Sequence, residues 1–198
     1  MTKIILITGG QRSGKSSYAE RLALQLSPHP IYMATAHIWD EEFRERIRRH
    51  QERRGPCWTN IEEERQLSQH DVSGRVVLVD CLTLWCTNYF YSQENIENIG
   101  HQDKSGGQEH QEEKHGCTSL PDIDHILKEV CSEFDRLVSQ DATFIFVTNE
   151  IGWGGVSANA LQRRFTDLLG WFNQYVAARA DTVILMVSGI AVKLKIEN

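Results

Sequence analysis

The sequence predicts an α/β fold: a mostly parallel central sheet with helices on both faces and an antiparallel strand at its C-terminal edge. Three observations predict it. Five short apolar runs are near-continuous rather than alternating, as in strands covered on both faces. Helical patterns separate those runs, which is the signature of parallel strands joined by crossovers. The first run also leads directly into Gly9-x-x-x-x-Gly14-Lys15-Ser16, between a strand and a helix, where that motif has structural meaning.

The elements follow in order. Strands are expected at KIILIT (3–8), PIYMAT (30–35), RVVLVD (75–80), TFIFVT (143–148) and TVILMV (182–187). Helices are expected over 16–26, 40–54, 123–139 and 159–178, each with apolar residues three and four apart. The tail AVKLKI (191–196) alternates and follows Ser188-Gly189, so it predicts a hairpin return along the edge. Residues 92–119 are rich in Gln, Glu, Asn, His and Gly. They carry too little apolar surface to offset ordering entropy, and this predicts a mobile loop. His101, His110, His115 and Cys117 within it are irregularly spaced, which favours a solvated loop over a metal site. A chain of 198 residues is of a size for one domain, expected over 1–198 with the loop as an insertion.

Charge and cysteine usage exclude some classes. A net charge of −6 and a pI near 5.7 argue against a general nucleic-acid grip, which needs a basic domain. Five cysteines, an odd number without a CxxC pair, fit reduced thiols in the cytoplasm rather than a disulfide framework. The apolar start at residues 4–7 is too short for a signal-peptide core, and no run is long enough to insert in a membrane.

The chemistry begins at the P-loop. Glycines let the chain curl so that successive amides face phosphate oxygens, and the following helix favours the anion. Gly9, Gly10, Gln11, Arg12, Ser13, Gly14, Lys15 and Ser16 are therefore expected to grip a nucleoside triphosphate. Lys15 would reach the outer phosphates, and Ser16 would ligate Mg²⁺. Asp80 ends the run VVLVD, where a carboxylate in P-loop proteins holds the same ion; the alternative is a turn or capping aspartate. In the helix expected from Asp40, residues Arg46, His50, Arg53 and Arg54 recur at three- and four-residue steps. A neutral imidazole beside guanidinium groups suits attack on a phosphate, because the cations stabilise developing negative charge. A solvated basic face explains the same spacing. Asn149 and Glu150 end another strand, where ligands bind in open α/β sheets, and the turn of residues 152–155 could carry a lid. Glu150 fits a metal ligand, a base toward a hydroxyl, or a simple cap.

Taken together, these residues resemble one family: the bifunctional adenosylcobinamide kinase / adenosylcobinamide-phosphate guanylyltransferases of cobalamin biosynthesis. The resemblance runs through ITGGQRSGKSSYAE, YMATA, DEEFRERIRRHQERR, Trp58, Glu62, VDCLTLWCTN, VTNEIGWG, RRFTDLLGWFNQ and VSGIAVKLK. It implies a RecA-like three-layer P-loop fold and a homotrimer. It also implies phosphorylation of the aminopropanol hydroxyl of adenosylcobinamide by ATP or GTP. GMP transfer from GTP to that phosphate would follow, through a GMP–histidine intermediate, to give adenosyl-GDP-cobinamide and pyrophosphate. The histidine in the matching helix is His50, preceded by Arg49 where some relatives have a second histidine. The family's nucleotide contacts map onto the P-loop, Ala34, Thr35, Ala36, Gln51, Glu52, Arg53, Arg54, Glu62 and Leu84. Ser157 and Ala191 stand where many relatives have proline. Two other readings remain at this point. One is a simple P-loop small-molecule kinase without a covalent step. The other is a nucleotide-driven assembly or motor protein, since fold does not fix function.

Overall fold

The computed structural model describes residues 1–37, 55–92 and 120–196. The helix expected over 40–54 lies outside the described residues, as does all but Ser92 of the segment 92–119 expected to be a loop, including its three histidines and Cys117.

The described chain runs β1 (Lys3–Gly9), α1 (Lys15–Leu26), β2 (Ile31–Ala34), β3 (Thr59–Glu62), β4 (Val76–Asp80) and α2 (Leu82–Phe90). It continues with α3 (Ile123–Val138), β5 (Thr143–Val147), α4 (Ala160–Arg179), β6 (Thr182–Val187) and β7 (Ile190–Ile196). The strands form one sheet in the order β3-β2-β4-β5-β1-β6-β7. All neighbours pair in parallel except β6 and β7, which are antiparallel. This is the RecA-like three-layer arrangement expected from the sequence.

Alternation along each strand sorts side chains between the two faces. Ile4, Leu6, Val77, Val79, Phe144 and Phe146 face one way, into a core with residues of α2, α3 and α4. Ile5, Ile7, Val76, Leu78, Ile145 and Val147 face the other, where α1 packs through Ala19 and Ala23. Both faces are dry, so the strand sequences have no polar side to show, and continuous apolar runs result. The edges differ: β3 and β7 have no fully buried residue.

Two elements escape the sequence reading. Strand β3 (TNIE) is four residues long and polar, as an edge permits. Helix α2 buries Leu82, Trp85, Cys86, Asn88, Tyr89 and Phe90 and so has no polar stripe to give it a helical period. The N-termini of α3 and α4 are set by side chains. Asp122 caps α3 by accepting from the amides of Asp124 and His125, both at 3.1 Å. Asn159, the expected first residue of α4, is instead its cap and accepts from Gln162 N at 3.1 Å. The β6–β7 hairpin turns on Ser188 and Gly189, with φ of 50° and 84°, as a two-residue primed turn demands. No helix among the described residues is long and apolar enough to cross a membrane.

Candidate active site

Strands β1, β4 and β5 end together beside the N-terminus of α1, and a cavity of about 1000 Å³ opens there. The P-loop forms its floor. At Gly9, φ is 143°, and a Cβ there would run into the Met186 carbonyl oxygen of β6. Gly14, at φ 94°, starts α1 without a side-chain cap, and no acidic residue occupies the first turn. The helix therefore presents free amides and an uncompensated positive end to the cavity. Gly189 N donates to Ser13 O at 2.9 Å, which ties the β6–β7 turn to the loop. Gly9→Ala is expected to destabilise the protein by about 2 kcal/mol or more, from a disfavoured φ together with a backbone clash. Gly10→Ala, with nothing within 4 Å of the new Cβ, is expected to be near neutral. Urea denaturation of the two variants checks the contrast.

Lys15 is 7 % exposed, and its Nζ donates to Gly10 O at 2.6 Å and to Ser13 Oγ at 3.4 Å. Burial pulls its pKa below the ordinary lysine value, while the nearby carboxylates of Asp80 and Glu150 oppose that shift. The ammonium thus sits desolvated and folded back on its own loop. An arriving phosphate oxygen is a better acceptor than the Gly10 carbonyl.

Asp80 reaches the cavity from the end of β4. Tyr32 stands opposite Leu78 on β2, so Asp80 is its diagonal neighbour on the same face, and the Tyr32 hydroxyl donates to Asp80 Oδ2 at 3.0 Å. Glu150, just past β5, is held twice: its amide donates to Gly9 O at 3.2 Å, and Thr8 Oγ1 donates to its Oε1 at 2.7 Å. No group of three or more His, Cys, Asp or Glu able to hold a metal occurs among the described residues. Mg²⁺ does not need such a cage, because it is usually bound by one or two carboxylates plus substrate phosphates. The Ser16 hydroxyl and the Asp80 carboxylate, both lining the cavity, are the hard oxygen donors that fit it.

The expected residues fall into three groups. Gly10, Gln11, Arg12, Ser13, Gly14, Lys15 and Ser16 line the cavity together with Ala34, Ala36, Glu62, Asp80 and Leu84. Gly9 and Thr35 lie behind the lining. Thr35 is fully buried, its hydroxyl donating to Cys81 O at 2.8 Å and accepting from Cys81 N at 2.9 Å, so it braces the β4–α2 junction. His50, Gln51, Glu52, Arg53 and Arg54 lie outside the described residues. Sequence reasoning missed Tyr32, Cys81, Thr83, Ile151 and Trp153, all of which line the cavity. Trp153 is 67% exposed and with Ile151 forms an apolar rim. The Cys81 thiol is pushed up to about 12, first by burial and then by Asp80. Its thiolate fraction at pH 8 is then on the order of one in 10⁴. Alkylation of the native protein at that pH is expected to spare Cys81 and to modify the half-buried Cys57, as peptide mapping would read.

Residues 5–194 match the family described as cobinamide kinase / cobinamide phosphate guanyltransferase. The chain belongs to this family. The bifunctional adenosylcobalamin biosynthesis protein CobU of Salmonella typhimurium is 35% identical over 196 residues, covering 97% of this chain and 99% of that one. The bifunctional protein CobP of Pseudomonas aeruginosa is 36% identical over 194 residues, with 96% of each chain covered. The solved flagellar accessory protein FlaH of Methanocaldococcus jannaschii is 14% identical, with a TM-score of 0.44 over 98% of this chain and 79% of its own. Membership in the cobinamide kinase / cobinamide phosphate guanyltransferase family makes the chain an enzyme of the kinase or transferase type.

Proposed function

We propose that this chain is a two-step enzyme of cobalamin biosynthesis that works as a cytoplasmic homotrimer. It phosphorylates the aminopropanol hydroxyl of adenosylcobinamide with ATP or GTP. It then moves GMP from GTP onto that phosphate by way of His50, giving adenosyl-GDP-cobinamide and pyrophosphate. The observation that carries the reading is a buried lysine opening onto a cavity shared with Asp80 and Glu150 and sized for a nucleotide with part of an acceptor.

The residues divide the work by position. Amides of residues 10–16 and the end of α1 bind the phosphates, and Lys15 leaves the Gly10 carbonyl to meet their outer oxygens. Ser16 and Asp80 hold Mg²⁺, with Asp80 oriented by Tyr32. When bound, that ion neutralises charge on the phosphates. Ala34, Ala36, Glu62 and Leu84 border the nucleotide, and Gln51, Glu52, Arg53 and Arg54 of the basic segment that carries His50 join them. The apolar rim of Ile151 and Trp153 suits a bulky macrocyclic acceptor that cannot enter the cavity whole. His50 then attacks the α-phosphorus and expels pyrophosphate, and the acceptor phosphate displaces the imidazole.

The test offers adenosylcobinamide and adenosylcobinamide phosphate separately, each with ATP and with GTP, and identifies products by mass spectrometry. Phosphorylation of the first and GTP-dependent nucleotidylation of the second are expected. Activity on the phosphate alone would reduce the chain to a guanylyltransferase, and inertness toward both would overturn the reading.

A further inference from the structure

The two proposed steps differ in one proton. An alcohol must lose its proton as it attacks phosphorus, whereas a phosphate acceptor is already an anion. The first step therefore calls for a base that the second does not use.

Three carboxylates line the cavity among the described residues: Glu62, Asp80 and Glu150. Glu62 belongs to β3 at the far edge of the sheet, four strands from β1 in the sheet order. Asp80 is the carboxylate suited to the ion. Glu150 follows β5, the strand between β1 and β4, and so stands between the P-loop and Asp80. From this placement we infer that Glu150 is the catalytic base for phosphorylation of the alcohol. This rests on the two-step reading above.

The surroundings of Glu150 are built for a fixed carboxylate. Thr8, itself buried, holds Oε1, and among the described residues Oε2 makes no hydrogen bond. The preceding Asn149 is pinned from both sides. Its amide donates to Thr83 Oγ1 of α2 at 3.0 Å, and its carbonyl accepts from Asn173 Nδ2 of α4 at 3.2 Å. Asn173 in turn accepts from Thr148 Oγ1 at 2.7 Å. Such second contacts remove the freedom that would blur a base by an ångström. In the step, the substrate oxygen forms a bond to the γ-phosphorus and gives its proton to Glu150. The bond from the γ-phosphorus to the β,γ-bridging oxygen breaks, and the electron pair leaves with the nucleoside diphosphate. Glu150 later releases the proton to water through the open cavity.

The experiment compares wild type and Glu150→Gln in two assays: phosphorylation of adenosylcobinamide, and guanylylation of supplied adenosylcobinamide phosphate. The ratio of the first rate to the second is expected to fall about 100-fold or more. A ratio unchanged from wild type, whether both rates persist or both fall together, would overturn the inference. Should Glu150→Gln fail to fold, Thr8→Val reads the same ratio, because it frees the held oxygen; a fall of about tenfold is expected, and no fall would overturn the inference. A wild-type protein that phosphorylates no cobinamide would instead overturn the two-step reading on which this rests.

Discussion

Lys15→Met is expected to abolish nucleotide binding and both transfers while leaving the nucleotide-free protein at least as stable as wild type. The two halves have separate causes. In the empty protein the ammonium is buried and bonded mainly to one carbonyl, a costly place for a charge. Its pKa is lowered by that burial from 10.5, so the charged form costs stability at every pH below the folded value. The cost fades as pH rises through that lowered pKa towards 10.5. Methionine fills similar volume without the charge, and replacements of buried ions by apolar groups are often neutral or stabilising. With nucleotide present the balance reverses, because the lysine then has phosphate oxygens to meet. Wild type is expected to gain about 2.7 kcal/mol at a GTP concentration 100 times Kd, and the variant to gain none. Thermal melts with and without GTP read both halves. A shift preserved in Lys15→Met would mean that the triphosphate is held elsewhere.

His50→Ala is expected to separate the two steps in the opposite sense to Glu150→Gln. Removing a covalent nucleophile should lower guanylyl transfer by about 10³-fold or more. Phosphorylation needs no histidine, so the ratio of phosphorylation to transfer should rise by the same order. Rate measurements on the two purified substrates check it. Equal loss of both would make the basic segment around His50 a phosphate clamp shared by the two steps rather than the source of a nucleophile.

Much of the fold was legible because of where these strands lie. KIILIT, RVVLVD and TFIFVT are central and dry on both faces, so their apolar runs match β1, β4 and β5 to within a residue or two. Helix α2 was not legible for the same physical reason in reverse. A helix buried all round has no period, and LTLWCTNYF reads as a continuation of the strand before it. Strand β3 is an edge of four residues whose polar character gives nothing to detect.

The site shows a similar division. The P-loop and Asp80 announce themselves because the chemistry fixes residue types at a strand end, and those residues do line one cavity. Tyr32 and Trp153 have no such signature. Tyr32 reaches Asp80 only through the β2–β4 register, which pairs Ala34 with Asp80 and is invisible along the chain. Thr35 sits in the segment that carries the family resemblance, yet its side chain points inward to brace Cys81. Alternation between neighbouring residues turns Ala34 and Ala36 toward the cavity and Thr35 away from it.

The most direct test of two chemistries at one P-loop is a labelling experiment on the wild-type protein. It is incubated with Mg²⁺ and GTP carrying label in either the α- or the γ-phosphate. Label from the α-phosphate alone should remain on the chain, stable to base and lost in acid, because protonating a phosphorylated imidazole makes it a good leaving group. Adding adenosylcobinamide phosphate should chase that label into product. A chain that acquires no α-label while still making adenosyl-GDP-cobinamide would contradict the covalent route, and with it the role given to His50.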